Sequence, residues 1–256
     1  MEHKSTFQIN WTNNKLSYKE TLTISEKPID DTTIIPLAQS LTDHCVNQAI
    51  KDNLKDDQSI SCKKGCSSCC SQLVPITHTE VSYLHMLIEQ LAPEHKQRII
   101  SRFEGAKTRL IKNDLWDAIT SPQLLTESAT TQLKTKYAAL NIQCPFLENN
   151  SCSIHPYRPL VCREFLVTSP ADLCQPTIDK QTRDEQTKEK IKCLPVLPVS
   201  QALSALLLEE SGYISIWIPL IMVPFWETQY KTSKSRKTER EWIELLLKKA
   251  EVLKEI

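Results

Sequence analysis

The sequence predicts a mainly α fold with a small N-terminal β element and cysteine-rich loops brought together between the helices. Three features lead there. Apolar residues return at helical spacing from Leu37 onward, two β-leaning stretches stand apart near the N-terminus, and most of the ten cysteines fall in two segments without apolar periodicity.

Phe7-Gln8-Ile9-Asn10-Trp11 and Leu16 to Ile24 lean to strand, and Asn13-Asn14 between them is a turn signal, so a hairpin is expected. Leu37, Leu41, Cys45 and Ile50 suit one helix over about Leu37 to Leu54, which ends in the polar Lys55-Asp56-Asp57-Gln58-Ser59. Thr77-His78-Thr79-Glu80 fits a capping box, in which threonine and glutamate side chains satisfy each other's backbone N–H groups. Val81, Leu84, Ile88 and Leu91 then share a helical face. Pro93 restarts a second helix with Ile99, Ile100, Phe103, Leu110 and Ile111 as its apolar stripe. Further helical segments are expected near 113–119 and 122–140, before Cys144-Pro145 breaks the pattern. A last amphipathic helix aligns Trp242, Leu246, Ala250 and Leu253, and the charged run Lys231 to Arg240 before it reads as a solvated connection. The expected division is an N-terminal hairpin and helix over 1–60, a cysteine-cluster domain over 61–195 and a C-terminal helical part over 196–256 packed on it.

Composition narrows the function classes. The 31 Lys and Arg balance the 31 Asp and Glu, so no global field draws the chain onto nucleic acid or an anionic membrane. Only three glycines occur, and no glycine-rich phosphate or dinucleotide loop can be written. Met1-Glu2-His3-Lys4-Ser5 lacks the apolar run of a signal peptide, which points to the cytoplasm. The apolar run Ile214 to Trp226 is interrupted by Ser215, Pro219 and Pro224 and falls short of the about 20 residues that span a bilayer, so it reads as buried core. In a cytosolic chain thiols stay reduced, and ten of them point to metal binding or redox work rather than to disulfides.

Four thiols stand within Cys62-Lys63-Lys64-Gly65-Cys66-Ser67-Ser68-Cys69-Cys70. They converge only if the backbone curls, and Gly65 supplies the permissive residue. Lys63 and Lys64 would offset thiolate charge. A second group follows about 75 residues later: Cys144-Pro145-Phe146-Leu147, then Cys152-Ser153-Ile154-His155-Pro156-Tyr157-Arg158-Pro159-Leu160-Val161-Cys162-Arg163. Its prolines stiffen the loops. Arg158 and Arg163 are candidates to donate hydrogen bonds to thiolate or sulfide sulfur; the competing reading of each is a surface ion pair. Cys45, on an apolar helix face, reads as a core thiol. His155 is a possible zinc ligand or a loop hydrogen-bonder, and His78 and His85 read as packing or solvent-facing.

These motifs resemble the YkgJ-like cysteine-cluster proteins, a family to which zinc or iron chelation is ascribed. The likeness covers about a hundred of the 256 residues. The first gap here, Cys62 to Cys66, spans three residues where the family's label has two. The resemblance implies Cys62, Cys66, Cys69, Cys70, Cys144, Cys152 and Cys162 as metal ligands. Cys174 or Cys193 would be an eighth, with Cys193, ahead of Leu194-Pro195, preferred. The family also looks similar to the cysteine-rich part of flagellin lysine N-methylases, whose activity does not transfer on this motif alone.

Thiolate-rich sites select zinc or iron–sulfur clusters. Vicinal Cys69 and Cys70 diverge along the chain and serve different metal atoms more easily than one zinc, which favours an iron–sulfur cluster with a redox partner. The competing reading is a zinc-stapled interaction module without catalysis. A third is a cluster-dependent enzyme. Cys62, Cys66 and Cys69 have the spacing of radical S-adenosylmethionine enzymes, although Asp56-Asp57-Gln58-Ser59-Ile60 does not read as the barrel strand that should precede it.

Overall fold

A computed structural model of the chain describes residues 4–12, 17–31, 33–55, 59–175, 191–211, 217–226 and 236–253. The protein is mainly α, with 54% of the described residues helical, and has an N-terminal hairpin. Strands β1 (Lys4–Thr12) and β2 (Ser17–Ser25) pair antiparallel with Phe7 opposite Leu22 and Ile9 opposite Glu20. The turn expected at Asn13-Asn14 lies outside the described residues. Ile9, Trp11, Tyr18, Leu22 and Ile24 are buried on one face of this ribbon, the alternation a strand needs to be apolar inward and polar outward.

Helix α1 (Ile35–Lys55) runs within two residues of the expected span and buries Ala38, Leu41, Cys45, Val46 and Ala49. After the first cysteine loop, the two-residue strand β3 (Pro75–Ile76) leads into α2 (His78–Glu89). The capping box forms as read: Thr77 Oγ1 accepts from the Glu80 N–H at 3.2 Å, and a Glu80 carboxylate oxygen accepts from the Thr77 N–H at 2.9 Å. Pro93 opens α3 (Pro93–Lys112), whose buried stripe is Ile99, Phe103, Ala106 and Leu110. Of the expected stripe, Ile111 instead faces solvent. Short α4 (Trp116–Thr120) and α5 (Glu127–Ala139) complete the central helices.

The second cysteine segment contains strands β4 (Leu147–Glu148) and β5 (Ser151–Cys152) and helix α6 (Leu160–Glu164). Helix α7 (Val199–Ser211), strand β6 (Ile218–Pro219) and helix α8 (Glu239–Val252) follow. Strand β6 pairs with β3. Of the described part of the apolar run, 217–226, the stretch from Ile218 to Val223 is buried as expected and its two ends are partly buried; residues 214–216 lie outside the described set. Trp242, Leu246 and Ala250 of α8 are buried. Part of the charged run is described, and there it is engaged rather than merely solvated. Lys237 bridges Ile29, Glu239 accepts the Ser25 N–H at 2.7 Å, and Arg240 lies over the Phe7 ring.

The apolar interior has two clusters. One gathers the hairpin, α1, α7 and α8 around Trp242, and the other gathers α2, α3, α4, α5 and the β6 segment around Phe103 and Phe146. The second cysteine segment is anchored in both, with Leu160 in the first and Phe146 and Ile154 in the second. Among the described residues no helix is long and apolar enough to cross a membrane.

Candidate metal centre

Two tight turns curl the first cysteine run. The Cys66 N–H donates to Lys63 O at 2.9 Å around Gly65, which sits at φ +87°, and the Cys70 N–H donates to Ser67 O at 2.9 Å. That positive φ favours glycine, and a Cβ at the position would meet nothing within 4 Å, so the requirement is conformational rather than steric. A neighbouring segment then fixes the start of the run. The Ser61 N–H donates to Val167 O at 2.9 Å, and the Val167 N–H donates to Cys62 Sγ at 3.4 Å.

The second segment meets the first directly. The Cys144 N–H donates to Cys70 O at 2.7 Å. Phe146 drives this loop into the core, edge-on to Phe103 at 5.4 Å between centroids. Asn149 and Asn150, at φ 49° and 58°, make the two-residue turn between β4 and β5 and so present Cys152. Two successive positive φ values suit the twist of a tight hairpin, and asparagine tolerates them. Ser67 Oγ donates to Asn150 Oδ1 at 3.3 Å and ties this turn to the first loop.

Cys162 rides on α6, and two carboxylates tie α6 to its neighbours, one from α2 and one of its own. Glu80, 3% exposed, accepts the Leu160 N–H at the start of α6 at 2.9 Å while it also caps α2. Glu164 at its end accepts the Ser200 N–H at 2.7 Å. Burial pushes the Glu80 carboxyl up, against the hydrogen bonds from Thr77 and Leu160, and holds the Glu164 carboxyl at about 7. The sequence reading gave Glu80 a capping role alone. Its second bond reaches 80 residues along the chain, and no local pattern signals that.

The thiols act on one another. Burial, then the charges of Cys144, Cys69 and Cys152, push Cys162 well above the ordinary thiol range, and burial pushes Cys144 up to about 12. Within the vicinal pair, the interaction between the two thiols lowers Cys69 and, with burial, pushes Cys70 up. Burial raises Cys62 and Cys152, and the positive charge of Arg158, joined at Cys152 by Arg163, works against that rise and adds to the lowering of Cys69. Lys63 and Lys64 face solvent, so the lysines expected to play that part are turned away.

The two arginines differ. Arg163, 4% exposed, donates through Nη1 to both Asp43 carboxylate oxygens at 2.7 and 2.6 Å, through Nε to Arg158 O at 3.0 Å and through Nη2 to Pro156 O. Those bonds make it the buried half of an ion pair that docks the loop on α1, and among the described residues none of them reaches sulfur. Arg158 Nε is buried with no hydrogen-bond partner among the described residues.

Cys62, Cys66, Cys69, Cys70, Cys144, Cys152 and Cys162 are all partly exposed and lie on two segments that contact one another, Cys152 at the end of β5 and Cys162 on α6. Cys193 is exposed, on a short bridge opposite Val167, and Cys174 is buried. Cys45 is buried in the first apolar cluster, as a core thiol should be, and His155 is exposed. Among the described residues no three thiol, imidazole or carboxylate groups converge closely enough to hold one ion as they stand, so ligation would draw the loops inward.

The donor set fits zinc or iron. Several thiols in one place raise one another, and a bound cation would relieve that repulsion while the loops supply sulfur donors. No curated protein and no solved structure matches the chain. A family model, described as "CxxCxxCC: Putative zinc- or iron-chelating domain", matches residues 61–193, just over half of the 256-residue sequence. That span begins one residue before Cys62 and ends on Cys193, and the chain belongs to this family of metal-chelating cysteine-cluster domains.

Proposed function

We propose that the protein holds an iron–sulfur cluster through these thiols and that the cluster carries electrons or senses oxidants. The carrying observation is the 2.7 Å hydrogen bond from the Cys144 N–H to Cys70 O, which brings together two cysteine segments about 75 residues apart. Such a bound cluster supplies one-electron chemistry at a potential set by charge, hydrogen bonds to sulfur and exposure. The chain's own residues set those three quantities. The Val167 N–H already donates to Cys62 Sγ, and Arg158 brings a positive charge to Cys62, Cys69 and Cys152. Both favour the more negative, reduced state and so raise the potential.

The test is iron, zinc and acid-labile sulfide analysis on protein purified without oxygen, with a visible spectrum of the same sample. Iron with matching sulfide and a broad band that bleaches on reduction is the expected result. Stoichiometric zinc without sulfide would overturn it and leave a metal-stapled scaffold whose helical surface does the work.

A further inference from the structure

We propose that the thiols form two adjacent metal sites, an outer one of Cys62, Cys66, Cys69 and Cys174 and an inner one of Cys70, Cys144, Cys152 and Cys162, with Cys174 and not Cys193 completing the outer set. The proposal rests on the reading of the thiols as a metal centre and goes beyond it in number of sites and in ligand choice.

Backbone geometry makes the division. Cys70 is joined to the second segment through its carbonyl, which accepts from the Cys144 N–H. Cys152 and Cys162 follow Cys144 in that same segment, and the hairpin turn and α6 place them. Cys62, at the other end of the first run, is fixed instead to Val167 by the N–H to Sγ bond. The chain then goes from Val167 into the short turn Ala171–Cys174, and Gln72 Nε2 donates to Cys174 O at 2.9 Å. Gln72, two residues past the four-thiol run, is therefore clamped to Cys174, 102 positions on.

Exposure chooses between the two candidates for the eighth ligand. Cys174 is 4% exposed, whereas Cys193 faces solvent. Cys70 is tied to the second segment by its carbonyl, while Cys62 is tied to Val167 and Cys174 to Gln72, so the vicinal pair stands at the seam and gives one thiol to each side. Two thiols on consecutive residues cannot easily bind one tetrahedral ion, but they can serve neighbouring ones. The sequence reading preferred Cys193 because Leu194-Pro195 follows it, a local feature that says nothing of the Gln72 clamp.

The experiment compares metal per protein in the full chain and in Cys174→Ser, Cys174→Ala, Cys193→Ser and Cys152→Ser. Each is reconstituted anaerobically with ferrous iron and sulfide and, in parallel, with zinc, and circular dichroism checks that each is folded. The expected pattern is full content in Cys193→Ser and about half in Cys152→Ser and in both Cys174 variants, because one of two four-thiol sites is lost. Using alanine as well as serine at the buried position separates a lost ligand from a hydroxyl that disturbs packing. Undiminished metal in the folded Cys174 variants, loss in Cys193→Ser, or complete loss in both Cys174→Ser and Cys152→Ser would overturn the two-site division. An unsubstituted chain that takes up no metal would instead sink the underlying reading.

Discussion

Replacing Glu80 should loosen the Cys162 helix from a distance. The carboxylate accepts from the Leu160 N–H at 2.9 Å, the Thr77 N–H at 2.9 Å and Thr77 Oγ1 at 3.1 Å, all in a buried setting. Glu80→Ala orphans two backbone N–H groups; the threonine hydroxyl can turn elsewhere. At about 1–3 kcal/mol for each of the two buried donors left unsatisfied, the expected loss is about 2–6 kcal/mol, a large share of a total stability of roughly 5–15 kcal/mol. Glu80→Gln keeps one oxygen and presents an amide to the other donor, so its loss should be smaller, about 1–3 kcal/mol. Urea denaturation of the chelated protein measures both, and hydrogen exchange of the amides from Leu160 to Glu164 reports whether α6 loosens first. A Glu80→Ala protein within about 0.5 kcal/mol of the parent, or unchanged exchange over α6, would refute the view of Glu80 as the tie between α2 and the Cys162 helix.

Three other outcomes follow from the geometry. Asp43→Ala strands the buried Arg163 guanidinium, but the Asp43 side chain is 49% exposed, so water reaches the pair and the expected loss is about 1–3 kcal/mol rather than the about 3–5 of a fully buried pair; a calorimetric shift too small to resolve would contradict it. Gly65→Ala meets no neighbour and should cost only the positive-φ penalty of roughly 1 kcal/mol, read as about five-fold weaker metal retention against a chelator; a collapse of binding would point to a clash instead. His78 is held at about 4 by burial, below the ordinary 6.5, so between those values the unfolded chain takes up a proton that the folded one refuses. Stability is therefore full above about pH 6.5 and falls by up to about 3 kcal/mol as pH drops toward 4. His78→Gln should flatten that acid limb in urea midpoints taken at pH 7.5 and 5, and an unchanged slope would exclude His78 as its source.

The helices were legible because their signals are local. Thr77 and Glu80 cap α2 within four residues, Pro93 opens α3, and Cys45 lies on the buried face that its spacing with Leu37 and Leu41 assigns. The curl of the first cysteine run was legible from Gly65 for the same reason. What could not be read were pairings across the chain. The Asp43 carboxylate that takes up Arg163 lies 120 positions away, and the Gln72 that clamps Cys174 lies 102 away. Lys63 and Lys64 stand next to the thiols in sequence, yet the nearest side of their loop is solvent, and Arg158 from the second segment brings the charge. Adjacency misled there because the curled loop turns the whole stretch from Lys63 to Gly65 outward.

The same tertiary ties bear on what metal removal does. A zinc finger has almost no core, so its metal supplies the folding free energy outright, about 10–16 kcal/mol. Here the two apolar clusters are built largely from the hairpin and the helices, and Trp242, Phe103 and Phe146 are among their largest fully buried side chains. The cysteine loops are themselves pinned without metal by the Cys144–Cys70 backbone bond, by Glu80 on Leu160 and by Asp43 on Arg163. Stripping the metal should therefore remove only the linkage contribution, about 4 kcal/mol for a ligand held at a thousand times its Kd. The melting temperature should fall while far-ultraviolet circular dichroism keeps the helical signal, and faster hydrogen exchange should be confined to residues 62–72 and 144–154. Loss of cooperative unfolding on chelation would mean that the metal, and not the helices, organises this fold.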